Sequence, residues 1–218
     1  MVCVHGLGAS HRYWLPVARE LAADAHVVAL DLPGFGRTPG PDRALDVRGQ
    51  SLALADWLRV TGRGGATLMG NSLGCQVIVD LATHSPDLVG PVVLVGPTMD
   101  RRARSAPRQG ARLVTDVRWE RPSLVPLLAR DYAACGARRY AATLRHALAD
   151  PVETKLAAVP TRAVVVRGAR DVIVPARWAR EVADGLARGR LVEVPGVGHV
   201  VNWSAPRPLA AVVRSVLG

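Results

Sequence analysis

Short apolar runs alternate with amphipathic stretches along the whole chain, and this alternation limits most what it can fold into. The runs fall near residues 2–5, 26–31, 66–70, 91–96, 162–167 and 190–195. Strand alternating with helix implies a parallel sheet with helices on both faces, because each crossover must return over one face or the other. The stretches between carry apolar residues at helical spacing. Trp14, Ala18 and Leu21 mark a helix expected from about Ser10 to Ala23, and Val77, Ile78 and Leu81 mark the one after the third strand. Trp178, Val182 and Leu186 repeat the spacing after Pro175, as do Leu209, Val213 and Val216 behind Ser204 and Pro206. Such stripes face a core. With 218 residues, 49% of them hydrophobic, and no linker or repeat, the chain reads as a single α/β domain over residues 1–218.

Gly70-Asn71-Ser72-Leu73-Gly74 sits where the third strand turns into a helix. A strand entering a helix through a tight turn puts the serine on a strained elbow, hydroxyl exposed, with the next backbone N–H at a helix N-terminus. Three more segments follow strands in the same way. Val2-Cys3-Val4 runs into the loop His5-Gly6-Leu7-Gly8, Val164-Val165-Val166 into a loop bearing Asp171, and Leu191 to Pro195 into Gly196-Val197-Gly198-His199. Serine, aspartate and histidine in that order, each just after a strand, are the pattern of the α/β-hydrolase superfamily, which the chain resembles over nearly its whole length. Asp31 to Thr38 is similar to the loop after that superfamily's fourth strand.

The resemblance implies a catalytic triad of Ser72, Asp171 and His199. An unassisted serine hydroxyl is barely nucleophilic at neutral pH, so His199 would take its proton and Asp171 would orient and stabilise the imidazole. The oxyanion would be met by the backbone N–H groups of Leu7 and Leu73. Some relatives take the acid from the loop after the strand that follows the nucleophile helix, which here offers Asp100. The Gly-x-x-Asp-x-x-x-Pro setting of Asp171 favours it over Asp100. His5, beside the oxyanion loop, reads as structural. His11, His26, His84 and His146 lack partners at metal-ligand spacing, so neither a metal nor another cofactor is expected.

The insertion at about residues 99–155 has helical periodicity over Pro122–Ala134 and Arg138–Ala149, with stripes Leu124, Leu127, Leu128 and Tyr140, Leu144, Leu148. A small helical lid is the expected product, and lids of this kind supply much of the acyl pocket. Relatives carry an antiparallel pair of strands before the His-Gly strand, whereas here Met1 already lies in that strand, so the expectation is either a trimmed version lacking those N-terminal strands or a true start upstream. The strand at 26–31 is therefore expected at the sheet edge, where unpaired backbone groups invite a homo-oligomer.

Net charge is +10, and every basic residue except Lys155 is arginine. The arginines are scattered without aromatic interleaving, which argues against a nucleic-acid partner. Arg101, Arg102, Arg104, Arg108 and Arg112 do crowd one stretch, read as a solvated basic face at the lid's start. No apolar run has membrane-spanning length and no leader pattern opens the chain, so no membrane partner and a cytoplasmic location are expected. Cys3, Cys75 and Cys135 read as free thiols.

The function expected is that of a serine hydrolase cleaving an ester-like bond of a small molecule with an apolar acyl part, as a carboxylesterase, lactonase or thioesterase. The alternatives are a carbon–carbon bond hydrolase of the meta-cleavage type, whose elbow Gly-Asn-Ser-x-Gly resembles, a haloperoxidase-like perhydrolase, and a non-catalytic binder on the same fold.

Overall fold

The computed structural model describes residues 1–217. Strands β1 (Val2–Val4), β2 (Val28–Leu30), β3 (Leu68–Asn71), β4 (Val92–Val95), β5 (Ala163–Gly168) and β6 (Gly189–Val194) form one sheet in the order β2-β1-β3-β4-β5-β6. Every pairing is parallel, as the alternation requires. The helices are α1 (Leu15–Leu21), α2 (Val47–Val60), α3 (Leu73–His84), α4 (Ala106–Asp116), α5 (Leu124–Cys135), α6 (Ala137–Ala149), α7 (Ala176–Gly185), α8 (Val201–Ser204) and α9 (Pro206–Leu217).

Successive strand residues point to opposite faces, and the two cores follow that period. Val2, Val4, Leu68, Val92, Leu94 and Val165 pack with α2, α3 and α7 through residues such as Leu54, Ile78 and Trp178. Cys3, Met69, Val93, Val95 and Val166 pack on the other face with α1 and α9 through Trp14, Val17 and Leu209. Burying an aliphatic side chain contributes about 1.5–3 kcal/mol, against about 1–2 kcal/mol lost in fixing each residue's backbone. β4, buried at all four residues, is therefore held firmly by its side chains. β2 is half-buried and pairs only with β1 among the described strands, so it is the weak edge.

One local reading changes. The first helix divides into a 3₁₀ turn at His11–Trp14, capped by Ser10, and α1. The tighter turn rotates the stripe, so Val17 is buried with Trp14 and Leu21 while Ala18 is half-buried. α2 has the sequence signal of an Asp46 cap, its carboxylate accepting from Gly49 N–H at 2.7 Å, but buried Gln50 and Ser51 interrupt its apolar stripe. Of the arginine-rich stretch read as a solvated basic face, α4 carries Arg108 and Arg112, and most of the helix's side chains are exposed or half-buried.

The chain leaves β1 outward to β2 and returns on β1's other side to β3. The loops after β1 and β3 therefore diverge, and a crevice opens at the carboxyl ends of the strands. Between β4 and β5, helices α4, α5 and α6 come over that crevice: Leu113, Leu128 and Leu144 line the same cavity as Ser72.

Candidate active site

Ser72 joins β3 to α3 with φ 55° and ψ −119°, and it is the non-glycine residue with positive φ among those described. A conformation of that kind costs about 1–3 kcal/mol and persists only where the surroundings hold it. Here its N–H donates to the Val95 carbonyl at 3.0 Å, and its carbonyl accepts from Cys75 N–H at 3.0 Å. Gly74 lets α3 lie close to β1, since a Cβ there would sit 2.2 Å from the Val4 carbonyl oxygen.

Asp171 and His199 arrive from the loops after β5 and β6. The Asp171 Oδ1 accepts from the N–H groups of Ile173 and Val174, both at 2.8 Å, and Oδ2 lies 2.8 Å from His199 Nδ1. Arg167 fixes this loop by donating to the Asp171 carbonyl at 2.9 Å. Both members of the pair are buried. Burial opposes charge on His199, but Asp171, with Asp116 and Glu120 behind it, outweighs that and raises the imidazole pKa to about 9. Asp100, the other candidate acid, is turned elsewhere. Arg177 holds its two oxygens at 2.8 and 3.0 Å, and Arg112 approaches at 3.5 Å. Burial works against the charged form of Asp100, yet these guanidinium contacts keep its pKa below the ordinary value.

Ser72, His199, Leu7 and Leu73 border one cavity of about 510 Å³. The Leu7 and Leu73 N–H groups find no protein acceptor among the described residues. The neighbouring Gly6 N–H is taken, donating to the Tyr13 hydroxyl at 2.5 Å, while that hydroxyl donates to Asn71 Oδ1 at 3.0 Å. Asn71 Nδ2 in turn donates to the carbonyls of Val95 at 3.0 Å and His199 at 3.4 Å. Tyr13 and Asn71 thus tie the β1 loop, the elbow and the histidine loop together. Sequence reasoning passed over their roles because most of their bonds span tens to more than a hundred residues. His5 is structural, its Nε2 accepting from Leu32 N–H at 3.0 Å.

The expected lid stripes divide by destination. Leu124, Leu128, Tyr140 and Leu144 line the cavity, whereas Leu127 and Leu148 pack against the cores. The basic stretch is not simply a solvated face. Arg101 and Arg102 are largely exposed, but Arg104 pairs with Glu153, and Arg112 donates to the Ile173 carbonyl at 3.1 Å and approaches Asp100. Missed as well were Asp116 and Glu120, two buried or half-buried carboxylates at the end of α4 and just beyond it that border the cavity. His11 and His84 do meet carboxylates, Asp31 at 2.8 Å and Asp80 at 3.9 Å. Among the described residues, no group of three or more His, Cys, Asp or Glu is arranged to hold a metal ion. Nor is any described helix long and apolar enough to cross a membrane.

Comparison with known proteins bears on the same geometry. The model of the alpha/beta hydrolase family matches residues 1–212. A protein named "Putative carbamate hydrolase RutD" from Pseudomonas savastanoi pv. phaseolicola is 27% identical over 237 residues, covering 95% of this chain and 89% of its own. Among solved structures, an esterase from Thermogutta terrifontis superposes with a TM-score of 0.82 at 20% identity, covering 98% of this chain and 87% of that one. The enol-lactonase from Burkholderia xenovorans LB400 gives 0.80 at 19% identity, with 99% and 90% covered. At these identities the two structures show a shared fold.

Proposed function

The chain belongs to the alpha/beta hydrolase family, and on that premise we propose that it is a serine hydrolase cleaving an ester-like bond of a small, neutral, apolar substrate through an acyl-enzyme. The observation that carries the reading is the Asp171–His199 pair, 2.8 Å apart, bordering the same cavity as a serine on a strained strand-to-helix elbow. With Nδ1 engaged by Asp171, Nε2 is the nitrogen left to take the Ser72 proton. Ser72 Oγ then bonds to the substrate carbonyl carbon, and the carbonyl electron pair moves onto oxygen, where the Leu7 and Leu73 amides meet it. Collapse breaks the bond to the leaving group, which takes the proton from His199. Water repeats the sequence against the acyl-enzyme, releasing the acid and Ser72.

The cavity wall sets the substrate class. It is built mainly of aliphatic and aromatic side chains, and Asp116, Glu120 and His199 are its ionisable residues apart from tyrosines. With no arginine or lysine in the wall, an anionic acyl group would have no counter-charge, whereas an apolar one gains by leaving water. The helical segment from α4 to α6 serves as the lid in this reading. Three free cysteines suit a reducing compartment, and we read the enzyme as cytoplasmic.

A panel of p-nitrophenyl esters, lactones, thioesters and vinylogous diketones tests the proposal. Neutral esters or lactones are expected to turn over, and Ser72→Ala is expected to lose activity by roughly 10⁴-fold or more. Turnover confined to the diketones would replace ester chemistry by carbon–carbon hydrolysis, and full activity in Ser72→Ala would end the serine mechanism.

A further inference from the structure

His199 is held from two sides. Asp171 engages its ring, and Asp116, at the end of α4, takes its backbone: Asp116 Oδ2 accepts from His199 N–H at 3.0 Å, and Oδ1 accepts from Val172 N–H at 3.4 Å. Glu120 continues the contact one helical turn later. Its Oε1 accepts from Val200 N–H at 2.6 Å, and its other oxygen accepts from the Ser204 hydroxyl at the end of α8. Between the two carboxylates, Trp119 lies under the Arg170 guanidinium at 4.2 Å, next in sequence to Asp171. One short segment covering the cavity therefore grips both loops that carry the Asp171–His199 pair. Gly198 is part of the fit. A Cβ there would come within 2.8 Å of Glu120 Oε1 and 2.9 Å of Asp116 Oδ2.

A buried carboxylate is costly unless its lone pairs are met, and here backbone N–H groups of the two loops meet them. Dedicated pairing of this kind is expected of groups with a task in the site, since surface positions would bear the same charges without desolvation. We infer that Asp116 and Glu120 are positioning residues for His199, a two-carboxylate clasp through which the segment over the cavity fixes the imidazole. The inference rests on His199 being the general base. The clasp fixes the backbone on which the imidazole turns, and its charge raises the ring's affinity for a proton. The groups facing it are His199 and Asp171 from the β5 and β6 loops, Arg170 and Arg118 on either approach to Trp119, and Ser204 from α8. Burial raises the pKa of both acids, Glu120 to about 7, with the neighbouring Asp116 adding to the rise.

The test separates charge from acceptor. Asp116→Asn keeps one oxygen for the His199 N–H and gives up that of Val172, Glu120→Gln keeps one for the Val200 N–H, and both remove the charge, whereas Asp116→Ala removes charge and acceptors alike. A neighbouring opposite charge moves a pKa by about 1–3 units, and Asp116 is among the carboxylates that raise that of His199, so in Asp116→Asn the His199 imidazole pKa, followed by NMR, and the acid limb of kcat/KM are both expected to fall by roughly one pH unit. Misplacing a reacting group by about 1 Å can cost 10²-fold, so Asp116→Ala is expected to lose kcat by roughly 10- to 100-fold with KM nearly unchanged. A residue that merely stabilised the fold would lower Tm without moving the imidazole titration. An unmoved titration in Asp116→Asn, together with unchanged kcat in Asp116→Ala, overturns the clasp while ester turnover by wild type still stands. The NMR measurement needs no turnover, so it judges the clasp even if the wild type proves inactive on every ester.

Discussion

Ser72 is held in its strained turn by the backbone of β4 and by the first turn of α3, so its position does not depend on its own side chain. Ser72→Ala should therefore keep the fold while removing the proposed nucleophile. The acid is the residue on which sequence left a choice, and geometry separates the two candidates. Asp171→Asn should lower kcat by roughly 10⁴-fold, because an amide favours the wrong imidazole tautomer. Asp100→Asn should leave kcat within a few-fold and lower Tm, because Arg177 and Arg112 lose their charged partner. The reverse pattern in a kinetic comparison of the two variants would move the acid to Asp100. His199 also makes a statement about pH. Its folded pKa is raised from 6.5 to about 9. Activity that needs neutral imidazole should therefore climb through about pH 9, later than an ordinary histidine would give. By linkage, a raised folded pKa contributes stability fully present below pH 6.5 and lost as pH rises through 9. Tm should fall across that window in the wild type, and His199→Gln should flatten the fall; an acid limb near 6.5 would contradict the charge environment described.

Among the elements, the covering helices would decide what fits in the proposed reaction. Leu144 of α6 and Leu113 of α4 line the cavity, so Leu144→Phe should shorten the longest acyl chain accepted. A methylene in an apolar pocket is worth about 1–3 kcal/mol, and kcat/KM for the longest good ester should drop at least about 10-fold while acetate esters change little. Equal loss across chain lengths would place Leu144 in the support of the site and not in its wall. β1 and β4 were legible because both faces of the sheet are buried there, which leaves their apolar runs uninterrupted. α5 and α6 were legible for the same kind of reason, their stripes being regular. α2 was not, since Gln50 and Ser51 face inward, the latter donating to Asp80 at 2.5 Å. The arginines after β4 looked solvated in sequence. The partners Glu153 and Glu181 lie far along the chain, and only folding shows the pairing.

At the scale of the molecule, the sheet has one weak border. β2 is half-buried and has a neighbour on one side among the described strands, whereas β4 is buried throughout. Amide exchange at Val28–Leu30 should be faster than at Val92–Val95, and protection that grows with protein concentration would signal a second copy pairing along that edge. Equal, concentration-independent protection would contradict an open border. The fold also explains how much of the site sequence could offer. Ser72, Asp171 and His199 each follow a strand, so their order along the chain marks them. Tyr13, Asn71, Asp116 and Glu120 make side-chain hydrogen bonds with residues as far as 128 positions away, as between Asn71 and His199, and have no local signature. The central claim is that all these parts serve one activated serine. Incubation with a neutral alkyl phosphonate, followed by intact-mass and peptide analysis, tests it most directly. The account expects one adduct per chain, on Ser72, and none in Ser72→Ala. A folded wild type that stays unlabelled, or labelling that persists in the variant, would contradict it.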